Sequence, residues 1–394
     1  VKDLLLNEIK KLRAGEFDEK MLQANINNFK LYELQSMESN EGRADIFVNS
    51  FINGTNWEDE VTAIDRMAKL TKEDIVAFAD KYLKEDNYAV VYKKQGKDPN
   101  EKKMTKPEIT PIVSNRDVAS PFLTSIQENA VKPIEPVFLD FKKDMSQLTA
   151  KSDIPVLYKQ NTTNDLFQLI YVFDMGNNND KALGTAFDYL EYLGTSDMTP
   201  EELKSEFYRL ACTFYVSPGN ERTYVVLSGL NENMPAAMQL FEKLLADAQV
   251  NKEAYDNLVG DILKARADAK LNQGQNFSRL MNYAMYGPKS PATNLLTEAE
   301  LASMNPQELV DRIHNQNNYK HRILYYGPSS SKDLLATIEQ YHQVPATLKD
   351  IPAGNEYSYL ETPATKVLVA PYEAKQIYMA QISNLDKKYD PAIE

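Results

Sequence analysis

The sequence predicts an α+β chain assembled from repeated units, and three observations carry the prediction. Two helical stretches share one order of punctuation, a proline-dense segment lies between them, and the stretch after it alternates apolar strands with amphipathic helices. The chain has 394 residues, of which 43% are hydrophobic and 26% charged. At about 150 residues per domain this is room for two or three folding units of ordinary globular composition.

The first copy of the repeat opens FDEKMLQANINNFKLYEL at Phe17, passes a polar break and runs a second helix to Gly54. The second opens VNKEAYDNLVGDILKARADA at Val250 and reaches Gly287 in the same way. Downstream, Thr71 and Asn305 are matched helix caps, with Asp74 and Glu308 three positions on and Pro306 at the first helical position. A helix follows each cap, and then an apolar strand, at 89–92 in one copy and 323–326 in the other. Six of the 19 prolines (Pro99, Pro107, Pro111, Pro121, Pro133 and Pro136) fall within residues 99–136. With the charged run 93–106 they predict an extended linker.

After the linker, 154–158 and 166–175 read as strands, the second a long apolar run suited to burial. The segment 180–193 is a helix with Leu183, Phe187, Leu190 and Leu193 on one face. Thr199-Pro200-Glu201-Glu202 is a complete helix start, with cap, N1 proline and box glutamate. A hairpin is expected from 213–216 and 223–227 around Ser217-Pro218-Gly219-Asn220, then helices near 235–247, 252–271 and 276–286. Near the end, 366–370 and 376–383 read as two strands resembling the opening pair. The chain thus holds the tail of one unit, one whole unit and the head of another. With Val1 rather than Met at its start, the expectation is a fragment of a longer protein.

The charge balance limits partners. Lys and Arg number 44 against 57 Asp and Glu, a net −13, which repels a phosphate backbone and argues against nucleic acid. No run approaches the ~20 apolar residues that span a bilayer. Cys212 stands alone and reads as a small buried hydrophobe. The three histidines, His314, His321 and His342, have no metal-ligand spacing. The first two read as structural or surface residues, and His342 sits at a polar helix end where a solvated side chain is an equal reading. There is no HExxH, HxxEH, CxxC, Walker loop or strand-borne GxGxxG.

One segment stands out in context: Asp188-Tyr189-Leu190-Glu191-Tyr192, followed by Gly194-Thr195. By itself it is the end of an amphipathic helix. A strand pair closed by Met175-Gly176 precedes it, and a helix, a hairpin and two longer helices follow. Together with Tyr286-Gly287-Pro288 and Tyr325-Tyr326-Gly327, this order resembles the pitrilysin/insulinase family of zinc metallopeptidases, of the insulin-degrading-enzyme-like kind. In that family the helix ends HxxEH, two histidines and a later glutamate hold zinc, and the motif glutamate works on the attacking water.

The resemblance implies LuxS/MPP-like units, each a mainly antiparallel sheet covered by helices on one face. It also implies that Asp188 and Tyr192 stand at the histidine places, Glu191 at the general-base place, and Asp261 nearest the third-ligand place. A carboxylate and a phenol replace imidazoles poorly on Zn²⁺, so neither a catalytic residue nor a metal is expected here. Zinc belongs to the full-length parent. The implied division is 1–110 as the end of the second unit, mostly helical and ending in a strand; 111–132 as linker; 133–345 as a complete non-catalytic third unit; and 346–394 as the start of the fourth.

The function implied is the non-catalytic central part of a zinc metalloendopeptidase that encloses and cleaves peptides, inactive by itself. Its partners would be peptide substrates and the catalytic half of the same chain, at a periplasmic or cell-envelope address. The alternative is a binding or assembly protein of the same family whose parent has lost catalysis. A purely helical repeat scaffold does not account for 166–175 or the hairpin.

Overall fold

The computed structural model describes residues 1–96, 104–112 and 118–384. Pro99, part of the run 93–106, residues 113–117 of the expected linker and Glu394 lie outside the described residues. The chain divides into two compact units, Val1–Glu16 with Glu73–Phe141, and Phe17–Lys72 with Lys142–Glu394.

In chain order the helices before the sheet are α1 (Lys2–Arg13), α2 (Lys20–Ser36), α3 (Asn40–Asn53), α4 (Trp57–Val61), α5 (Ala63–Met67), α6 (Lys72–Tyr82) and α7 (Pro121–Gln127). In the first unit, α1 and α6 are joined by an ion pair from Arg13 Nε to Asp80 at 2.8 Å. The linker is not extended throughout. Ser120 caps Leu123 N–H at 3.1 Å and Pro121 takes the first helical position, so a two-turn helix forms inside it.

The second unit carries the sheet. Its elements are β1 (Ser146–Thr149), β2 (Pro155–Gln160), β3 (Leu166–Phe173), α8 (Leu183–Leu190), α9 (Pro200–Arg209), β4 (Cys212–Pro218) and β5 (Thr223–Leu230). They continue with α10 (Met234–Asp247), α11 (Lys252–Ala269), α12 (Gln273–Tyr286), α13 (Glu298–Ser303), α14 (Pro306–Asn315), β6 (Arg322–Gly327) and α15 (Ser331–Tyr341). The six strands lie in the order β1-β2-β6-β3-β5-β4. Every pairing is antiparallel except β2 with β6.

Period-two alternation sets the faces. Phe167, Leu169, Tyr171 and Phe173 of β3 and Val225 and Leu227 of β5 point into one core with α8, α10 and α14. On the other side Gln168 pairs with Tyr326 and Ile170 with Leu324, all four partly or wholly exposed. The fold is therefore α+β, with helices over one face of a mainly antiparallel sheet. At the end of β3, Leu31 of α2 packs with Leu166, Ala211 and Leu230 in a smaller cluster.

The two copies of the repeat share their helix order: α2, α3, α5 and α6 in one, α11, α12, α13 and α14 in the other. Each second helix is capped by an oxygen of the polar break, Ser39 on Gly42 N–H and Asn272 on Gln275 N–H. Each ends at a glycine of positive φ, +64° at Gly54 and +75° at Gly287. The copies then part. Residues 322–327 become β6, whereas 89–92 pair with no strand, and neither do 366–370 or 376–383. An apolar run becomes a strand only where a neighbouring edge completes its ladder. β6 finds two such edges, β2 and β3; among the described residues the other three runs find none.

Candidate functional site

The turn singled out in the sequence closes α8. Leu183, Ala186, Phe187 and Leu190 recur at i, i+3, i+4 and i+7 and are all buried, which lays the helix on the sheet. The helix is shorter than expected, but its intended face is the buried one. Tyr189 lies on the buried side as well and anchors the start of α11: its hydroxyl accepts from Asn251 N–H at 2.8 Å and donates to the Asn251 carbonyl at 2.6 Å. The turn then doubles back. Thr195 N–H donates to the Met198 carbonyl at 2.8 Å, and Gln249 N–H to the Gly194 carbonyl at 2.9 Å. A Cβ on Gly194 would lie 2.3 Å from that Met198 oxygen, so the close approach of backbone to backbone requires glycine.

Asp188 and Glu191 are exposed and Tyr192 is 44% exposed. Partial loss of water around Asp188 raises its carboxyl above the usual range, and the charge of Glu191 adds to this. Asp261 lies exposed on α11. No imidazole is near in sequence, since His314 ends α14 and His321 and His342 flank β6 and α15. Two carboxylates and a phenol without histidine do not fit the donor set of catalytic zinc. Among the described residues no group of three or more His, Cys, Asp or Glu side chains gathers as a metal ion would need.

Glu191 does face a feature of its own. Phe187, Leu190 and Glu191 of the α8 end, Lys204, Phe207 and Tyr208 of α9, Asn28 and Tyr32 of α2, and residues 212–216 of β4 line a groove of about 310 Å³. Asn28 of α2 donates to the Tyr208 carbonyl at 2.7 Å, and the Tyr208 hydroxyl donates to Asn25 at 2.6 Å, which holds the two helices together along this wall. β4 is the last strand of the sheet, so half of its backbone N–H and C=O groups point away from β5. The groove therefore offers apolar walls, one carboxylate and one lysine beside an open strand edge. Cys212, which opens β4, is 1% exposed with its thiol pushed up to about 12 by burial. It is inert as a nucleophile.

No family model and no curated protein sequence matches the chain. Solved structures do. The periplasmic protease PqqL from Escherichia coli superposes with a TM-score of 0.50 at 13% identity, over 88% of this chain and 43% of that one. The chain shares its fold with part of a protease. Two others are similar: the inactive domain of a peptidase M16 from Pseudomonas fluorescens, with a TM-score of 0.46 at 16% identity over 54% of each chain, and the ferredoxin protease FusC in complex with Arabidopsis ferredoxin, with a TM-score of 0.48 at 10% identity over 89% of this chain and 42% of that one. The chain spans less than half the length of PqqL, and the likeness is one of fold alone.

Sequence reasoning missed one buried polar cluster. His342 is fully buried rather than solvated, and it bonds Glu242 at 2.7 Å and His321 at 2.9 Å. A signal was available. Met238, Phe241, Glu242 and Leu245 share one face of α10, so the carboxylate stands in an apolar stripe where a solvated glutamate would not.

Proposed function

We propose that this chain is a non-catalytic part of a metalloendopeptidase-like protein, whose role is to wall and shape the chamber that receives peptides. The observation that carries the reading is the α8 turn. The helix, its sheet and its Gly-Thr turn are kept, while the positions that would bind metal hold Asp188 and Tyr192. The fold held in common with a stretch of PqqL supports it. On this reading zinc and bond cleavage belong to another part of the parent protein, and a periplasmic or cell-envelope address goes with the same likeness. The exposed apolar side chains Phe51 and Ile52 on α3 go with a further part of the parent covering that face.

An extended peptide is the occupant that suits the groove beside β4, since a strand edge supplies backbone hydrogen bonds regardless of sequence and Glu191 and Lys204 supply charge at its walls. Two experiments test the reading. Peptide cleavage by the full-length parent should stop with a chelator, while this chain alone should neither cleave nor hold stoichiometric zinc. Micromolar zinc on this chain that is lost in an Asp188→Ala variant would defeat the metal-free reading. Filling the groove with Thr213→Trp should weaken binding of an unstructured peptide at least tenfold. A parent that binds peptides but never cleaves them would instead make the whole protein a binding or assembly member.

A further inference from the structure

Beneath the sheet lies a chain of hydrogen bonds that the groove does not use. Glu242, on the buried face of α10, is 1% exposed, and His342, just past α15, is 0% exposed. Three donors and one histidine nitrogen converge on the carboxylate. Oε1 accepts from the Tyr171 hydroxyl at 2.8 Å and stands 2.7 Å from His342 Nδ1. Oε2 accepts from the Asn317 amide and from Gln343 N–H, both at 3.0 Å. The chain then continues: His342 Nε2 lies 2.9 Å from His321 Nε2, and His321 Nδ1 lies 2.7 Å from the Tyr319 carbonyl.

Counting hydrogens along this chain gives a definite result. A carbonyl only accepts, so His321 Nδ1 carries a hydrogen. His342 Nδ1 and Glu242 Oε1 stand 2.7 Å apart, too close for two bare lone pairs, so a hydrogen lies between them as well. Two bare nitrogen lone pairs 2.9 Å apart would repel, so a hydrogen also lies between the two Nε2 atoms. Two neutral imidazoles supply two ring hydrogens, and this arrangement needs three.

We propose that the core of this unit stores one proton, as an imidazolium at His342 held between the Glu242 carboxylate and a neutral His321, and that this proton latches the segment after α15 onto α10 and the sheet. The buried charges then cancel, one positive against one negative, as a buried pair must. The neutral state of His321 agrees with its surroundings: burial first, and the charge of His342 second, hold its pKa down at about 4.

The other groups facing the cluster have partners of their own. Burial holds the Tyr171 phenol of β3 well above its usual range, so it remains a donor. Lys151 and His314 line the adjoining cavity of about 460 Å³, where Lys151 Nζ donates to the Glu339 carbonyl and His314 Nε2 pairs with the Ala248 carbonyl. That cavity is also lined by Glu242 and His342.

The test is imidazole ¹⁵N–¹H spectroscopy on the full chain near neutral pH, with His314→Gln used to identify and remove the signals of the third histidine. Three slowly exchanging ring N–H signals are expected from His321 and His342 together. As the pH is raised, one of them should vanish, and the melting temperature should fall by a few degrees over the same interval. Two signals at neutral pH would overturn the proposal, and so would an unchanged melting temperature across the loss of the third.

Discussion

At the residue scale, His321 makes the pH dependence of this fold specific. Its pKa falls from the ordinary 6.5 to about 4 in the folded chain, through burial and then through His342. The unfolded ring takes up a proton below 6.5 and the folded ring does not. The contribution of this residue is therefore fully present above 6.5 and is lost as the pH falls toward 4. A shift of that size corresponds to about 3 kcal/mol at most. Urea midpoints measured from pH 7 to pH 4 should show the decline, and in His321→Phe the same interval should be flatter by a comparable amount. An equal slope in the variant would assign the acid sensitivity elsewhere. Neither this ring nor Glu242 was legible in the sequence as a pair, because their partners come from α10, β6 and the end of α15, up to 100 residues apart. The inertness of Cys212 was legible, because a lone cysteine among apolar neighbours has nothing to activate it.

At the element scale, local chemistry accounts for most of what could be read. The start of α9 is a reciprocal box: Glu202 N–H donates to Thr199 Oγ1 at 3.2 Å, and Thr199 N–H donates to Glu202 Oε2 at 2.7 Å. Thr199→Ala removes one half of it and should cost about 1 kcal/mol in chemical denaturation; a change below a few tenths would mean that packing of Leu203 and Phe207 alone sets this helix. Such starts are written within four residues, which is why α9, α14 and the hairpin of β4 and β5 were predictable. Strand formation by 89–92, 366–370 and 376–383 was not. Each has the apolar content of a strand, and each lacks an adjoining edge among the described residues. The polar strand β1 was missed for the converse reason: its partner β2, not its composition, makes it a strand.

At the scale of the whole molecule, β6 joins the sheet. It arrives last in sequence yet lies between β2, to which it runs parallel, and β3, to which it runs antiparallel. Without it, β1 and β2 would be separated from β3, β5 and β4. Ile323 is fully buried at its centre, so Ile323→Ala should cost 2–5 kcal/mol. Because both halves of the sheet depend on it, near- and far-ultraviolet circular dichroism of the variant should be lost together in one transition. Separate transitions would show the two halves to be independent. The peptide-binding reading also belongs to this scale, since its groove draws on α2, α8, α9 and β4 at once.

By itself the sequence determined the repeat, the helix caps, the buried face of α8 and the absence of histidine from its final turn. These are short-range properties, set by residue type and by spacing within a few turns. Only the tertiary structure decided which apolar runs became strands, that β4 was left as an open edge beside Glu191, and that His342 was drawn from an apparent surface into contact with Glu242. Each of those depends on neighbours brought together across long stretches of chain, where a hydrogen bond is satisfied or a charge desolvated only after the sheet has closed.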